Sequence, residues 1–147
     1  MSKMRMSHIG ICVSDRVSSL RFYHDVLGFR YVSELEVKSA KADKLLRLED
    51  VNLLAVYLER EGVRIELLCY ASPGHRGDGT QRPMNQLGLT HLSMRVDDMT
   101  QTLADLERAG VEIVEETRIG HPDDVVQAVM IADPDGTLIE LVQQPGD

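Results

Sequence analysis

The sequence predicts an α+β fold made of two tandem β-α-β-β-β modules. Three observations carry this. Anchor residues recur in the same order in both halves of the 147-residue chain. Each half reads as a strand, a helix and three more strands. And each half, at fewer than about 75 residues, is marginal for a core of its own, so the two are expected to pack together as one domain.

The repeat is visible by eye. His8-Ile-Gly-Ile-Cys-Val-Ser-Asp15 matches His91-Leu-Ser-Met-Arg-Val-Asp-Asp98, with His, Val and Asp at the same spacing. Gly28 corresponds to Gly110, and Gly62-Val-Arg-Ile-Glu-Leu67 to Gly136-Thr-Leu-Ile-Glu-Leu141. The first copy holds extra residues, mostly around Lys38–Asp50 between Gly28 and Gly62.

His8–Ser14 and His91–Val96 are β-rich runs. Each ends at a residue suited to cap a helix N-terminus. Val17, Leu20, Tyr23 and Leu27 then fall at helical spacing, as do Met99, Leu103, Leu106 and Ala109. Gly28 and Gly110 stand where a helix C-terminal cap is expected. Strands follow at Phe29–Lys38 and Glu112–Arg118, and Ala40–Leu48 reads as a short extra helix in the first copy. A hairpin closes each copy: Leu53–Glu59 turning through Glu61-Gly62 into Val63–Tyr70, and Val126–Ala132 turning through Asp133-Pro-Asp-Gly136 into Thr137–Gln143. The modules, about 6–70 and 90–143, are joined by Ala71–Leu89, which is rich in Gly and Pro and has no apolar periodicity. Loops this long are often lids or interface segments, and a passive linker is the equal alternative.

Composition narrows the class of function. Sixteen Lys and Arg against 24 Asp and Glu give a net charge of −8, the wrong sign for a nucleic-acid surface. No apolar run is long enough to span a membrane. The opening MSKMRMSH lacks the apolar stretch of a signal peptide. Two cysteines, Cys12 and Cys69, are not a disulfide framework. A cytoplasmic protein acting on a small molecule is the expectation.

The repeat carries chemistry as well as shape. His8 and His91 open the first strand of each copy, and Glu66 and Glu140 sit in the last. A pseudo-twofold arrangement would bring the four together as a divalent-metal site, with imidazole as the borderline donor and carboxylate as the hard one. Zn²⁺, Ni²⁺, Co²⁺, Mn²⁺ or Fe²⁺ all suit that donor set, one ion per site. Each glutamate stands inside an apolar strand, Val-Arg-Ile-Glu-Leu-Leu and Leu-Ile-Glu-Leu-Val, where a carboxylate is costly unless paired or coordinated. A strand with a solvent-facing side would explain one such glutamate; two at equivalent positions, each matched by a histidine, favour the metal. His24 falls on a helix, and His75 and His121 fall in loops. By period-two alternation Arg95 shares a face with His91, where it would meet a substrate anion or a neighbouring acid.

The strings HIGICVSD, SLRFYHDVLGF, RIELL, THLSMRVDD and ADPDGTLIELV resemble the vicinal oxygen chelate superfamily, over nearly the whole chain from His8 to Val142. That superfamily includes glyoxalase I, methylmalonyl-CoA epimerase, extradiol dioxygenases and the fosfomycin and bleomycin resistance proteins. The resemblance implies paired βαβββ modules forming a cup around a metal, with the ligand positions at His8, Glu66, His91 and Glu140. It also implies a homodimer. The full His-Glu-His-Glu set is most similar to glyoxalase I. The implied activity is a metal-dependent lyase or isomerase that moves a proton next to a metal-held carbonyl oxygen. In that reading Glu140 is the base and Glu66 its counterpart. The alternatives are an epimerase, an Fe²⁺ extradiol dioxygenase and a drug-binding protein without catalysis. Where epimerases supply an extra acid, Lys41–Leu48 carries only Asp43, which weighs against that member.

Overall fold

The computed structural model describes residues 1–146. The chain forms two compact units, Met1–Gly77 and Asp78 onward. Each holds one four-stranded mixed sheet, and together they carry three α-helices. This is the predicted α+β class.

In the first unit the elements are β1 (Ile9–Cys12), α1 (Arg16–Leu20), β2 (Arg30–Val37), α2 (Ala40–Leu46), β3 (Asn52–Arg60) and β4 (Val63–Ser72). The sheet order is β1-β4-β3-β2, with β1 parallel to β4 and the other pairs antiparallel. The second unit repeats the pattern with β5 (His91–Arg95), α3 (Met99–Arg108), β6 (Glu112–Ile119), β7 (Gln127–Ala132) and β8 (Leu138–Gln143), in the order β5-β8-β7-β6.

Both helices that follow a first strand are capped as the sequence predicts. Asp15 Oδ2 accepts the Ser18 amide at 2.8 Å, and Asp98 Oδ1 accepts the Gln101 amide at 2.9 Å. Their interior differs from expectation in the first unit. After Leu20 the chain continues as a π-helical segment, Arg21–Val26, closed by a 2.9 Å bond from the Leu27 amide to the Phe22 carbonyl. The wider turn rotates the side chains. Val17, expected on the buried stripe, is therefore 71% exposed, while Ser19, Phe22, Tyr23 and Leu27 are buried. In the second unit α3 is regular, and Met99, Leu103 and Leu106 are buried as the spacing requires.

β4 shows why its sequence is apolar almost throughout. Ile65 and Leu67 are fully buried on one face. Glu66, Leu68 and Tyr70 alternate onto the other. That second face is partly covered by α2: Ala42, Val51 and Leu53 form a cluster against which Val37, Leu46, Leu48, Leu68 and Tyr70 pack. Ser39 Oγ caps α2 by accepting the Ala42 amide at 3.1 Å. Asp43 Oδ1 accepts the Val51 amide at 2.9 Å, so this acid anchors the loop that returns to β3.

Two tight turns set the remaining register. Glu61 (φ 49) and Gly62 (φ 82) are both left-handed, the geometry of a two-residue hairpin turn. In the second hairpin Asp133 Oδ1 accepts the amides of Asp135 and Thr137 at 2.9 and 2.8 Å. Gly136 there has φ +85, and a Cβ on it would lie 2.3 Å from the Gly79 carbonyl oxygen. The connecting segment is thus seated on this turn at Gly79. It is also tied at Gln81, whose Nε2 donates to Glu112 at 2.9 Å. No helix among the described residues is long and apolar enough to cross a membrane. Cys12 and Cys69 form no disulfide.

Candidate metal centre

The parallel pairing of first and last strand places the same two side chains together in each unit. In the first, Gly10 pairs with Glu66, so His8, two residues before Gly10, lies on the Glu66 face one step along. In the second, Ser93 pairs with Glu140, and His91 lies two residues before Ser93. The offset is identical. His8 Nε2 stands 2.5 Å from Glu66 Oε2, and His91 Nε2 stands 3.6 Å from Glu140 Oε2.

These separations can be tested against a metal. Donors held about 2.1 Å from one ion sit roughly 3 to 3.4 Å apart at octahedral to tetrahedral angles. The two observed values bracket that spacing, and both pairs turn an imidazole nitrogen and a carboxylate oxygen to each other. Each pair has donor types and a spacing that one metal ion accepts. Among the described residues no group of three or more His, Cys, Asp or Glu gathers in a way that could hold a metal.

The two glutamates differ in surroundings. Glu66 is 9% exposed as a residue. Its register partner on β3 is Tyr57, whose hydroxyl hydrogen-bonds the Glu66 carboxylate. The Tyr57 ring also meets the His8 ring edge-on, with centroids 5.4 Å apart. Burial, the Glu66 charge and that hydrogen bond all push the Tyr57 hydroxyl above its ordinary pKa. Burial likewise raises Tyr70, further along β4, with Cys12 and Glu66 adding to the effect. In the second unit the place of Tyr57 is taken by Met130, opposite Glu140. The floor beside it is apolar: Val114, Ala132 and Leu138 pack together with Met130 against them. The Glu140 side chain is 31% exposed, against 11% for Glu66.

A second repeated feature lies just ahead of each histidine. Ser7 Oγ is 2.8 Å from His8 Nδ1, and Thr90 Oγ1 is 2.8 Å from His91 Nδ1. The sequence reading did not single out Ser7, Thr90 or Tyr57. The signals for them exist. A hydroxyl residue precedes the histidine in both copies, and residues 57 and 66 are equidistant from the Glu61-Gly62 turn. The other histidines do not join the pairs. His24 Nδ1 is 2.7 Å from Asp25, and His75 and His121 are exposed in loops. Arg95 is exposed at the end of β5, in register with Val142.

The model of the Glyoxalase/Bleomycin resistance protein/Dioxygenase superfamily matches residues 5–141. An uncharacterized protein of Escherichia coli K12, YaeR, is 32% identical over 140 residues, covering 95% of this chain and 96% of YaeR. Among solved structures, a glyoxalase family protein from Bacillus cereus superposes with a TM-score of 0.82 at 22% identity, covering 99% of this chain and 97% of that one. The trypanothione-dependent glyoxalase I of Leishmania major gives a TM-score of 0.67 at 22% identity, over 97% and 88% of the two chains. A fosfomycin resistance protein from Listeria monocytogenes, complexed with Mn(II) and sulfate, gives 0.60 at 15% identity, over 98% and 95%. At these identities the structures speak for the shared fold.

Proposed function

Because this chain belongs to the glyoxalase/bleomycin resistance protein/dioxygenase superfamily, we propose that it is a divalent-metal-dependent lyase or isomerase of the glyoxalase I type. In this reading His8, Glu66, His91 and Glu140 hold one ion of Zn²⁺, Ni²⁺, Co²⁺, Mn²⁺ or Fe²⁺. The observation that carries it is the identical placement of a histidine and a glutamate across the parallel strand pair of both units. The ion, when bound, supplies Lewis-acid polarisation of a substrate oxygen. The proton work falls to the carboxylates. Glu140 faces Met130 rather than a tyrosine, and its side chain is the more exposed of the two. It is the group able to swing and take a proton next to a carbonyl. Glu66, restrained by Tyr57, acts as its counterpart. The apolar patch of Val114, Ala132, Leu138 and Met130 would keep water from the reacting carbon. The working form in this reading is a cytoplasmic homodimer.

Elemental analysis of protein purified without chelator tests the reading, together with turnover of the hemithioacetal formed by a 2-oxoaldehyde and a thiol. About one divalent ion per four-residue set is expected, with Glu140→Gln losing turnover and the Glu66→Gln/Glu140→Gln double variant losing both metal and turnover. A double variant that kept its metal and its rate would overturn the proposal.

A further inference from the structure

We propose that Ser7 and Thr90 are positioning residues whose hydroxyls, 2.8 Å from Nδ1 in both units, hold each histidine ring so that Nε2 stays aimed for a metal. This rests on the reading that the two Nε2 atoms are metal donors.

The same contact, hydroxyl to Nδ1 at 2.8 Å, occurs in both units with different residue types. Regular strand geometry does not produce it, because neighbouring side chains in a strand point to opposite faces. Thr90 lies just before β5, and Ser7 lies two residues before β1. With Nδ1 held, the ring cannot turn over, and Nε2 stays aimed at the glutamate of its own unit.

A hydroxyl suits this place because it can donate or accept, so it partners Nδ1 whichever ring nitrogen carries the proton. A backbone carbonyl or a carboxylate, the common partner of a ligating histidine, can only accept.

The test uses the full chain labelled with ¹⁵N-histidine and titrated with Zn²⁺, with long-range ¹H–¹⁵N spectra reporting the protonated nitrogen of His8 and His91. In the zinc-loaded native protein both Nε2 atoms should be ligated and the proton should sit on Nδ1. Ser7→Ala and Thr90→Val should each weaken Zn²⁺ binding about tenfold, while Ser7→Thr and Thr90→Ser keep native affinity and native spectra. Ser7 is exposed and Thr90 half-buried, and all four variants should fold, as circular dichroism will show. Native zinc affinity in Ser7→Ala and Thr90→Val overturns this inference and leaves the metal reading standing. No zinc-dependent change at His8 or His91 in the native protein overturns both.

Discussion

Replacing Tyr57 by Phe removes one oxygen and leaves the ring, and so isolates what the hydroxyl does for Glu66. The ring should keep its edge contact with His8, so little packing is lost. What goes is a hydrogen bond to a carboxylate that is only 9% exposed. Hydrogen bonds to charged groups contribute about 1.5–3 kcal/mol. The low end applies here, because His8 remains beside the same carboxylate and water can reach part of it. For a chain of this size a loss of about 1.5 kcal/mol corresponds to a fall of roughly 3–6 °C in Tm. Thermal unfolding followed by circular dichroism in the presence of a chelator measures it. Adding Zn²⁺ should shrink the difference between Tyr57→Phe and the native protein, because the ion would then be the main partner of Glu66. A Tm within about 1 °C of native in chelator would refute the reasoning, since it would mean that the hydroxyl does nothing for the buried carboxylate.

Other expectations follow from the backbone and from titration. Gly136→Ala should destabilise severely, by about 3 kcal/mol or more, because its Cβ would meet the Gly79 carbonyl as well as a left-handed φ. Gly62→Ala, left-handed but in open space, should cost only about 1–2 kcal/mol; equal losses in urea titrations would disprove the role given to Gly79. Arg47, left-handed at the end of α2, should gain about 1 kcal/mol on replacement by Gly, read as a higher urea midpoint. The Ser18 amide and hydroxyl hold the Asp15 carboxyl below its ordinary pKa of 3.8. Its contribution is therefore present above that value and is lost as pH falls through the lower folded value; Asp15→Asn should flatten the acid limb of the stability curve. Tyr57 and Tyr70 are shifted the other way, above 10.0. Their contribution is whole below pH 10 and fades as pH rises through the higher folded values, and the Tyr57→Phe/Tyr70→Phe protein should lose less stability in that range.

Much of this was legible in the chain because short-range rules govern it. Asp15 and Asp98 announce helix starts, Gly28 and Gly110 helix ends, and the turn at Glu61-Gly62 fixes the pairing of β3 with β4. The equivalence of the two histidines and of the two glutamates followed from the repeat; that His8 lies beside Glu66 and His91 beside Glu140 comes from the parallel pairing of first and last strand. The parts that were not legible depend on contacts distant in sequence or on proton-level detail. Val17 falls at perfect helical spacing and is exposed, because the π-helical segment breaks the period on which the expectation rested. The seating of Gly79 against Gly136 joins residues far apart in the chain. Asp43, the lone acid in the stretch where epimerases supply an extra one, has an oxygen that accepts the Val51 amide. Glu66 and Glu140 looked alike in sequence; Tyr57 and Met130, supplied by a neighbouring strand, make them chemically unequal.

The π-helical segment has a further meaning when the two copies are laid side by side. From His8 to Gly28 the first copy is one residue longer than the second from His91 to Gly110. An extra residue in a strand would flip every later side chain to the wrong side, and in a rigid helix it would turn the exit by about 100°. Here it is absorbed as a widened turn, and both copies deliver their next strand correctly. The one-residue difference between the copies is taken up on the helix, away from the parallel strand pairs that carry the histidines and glutamates.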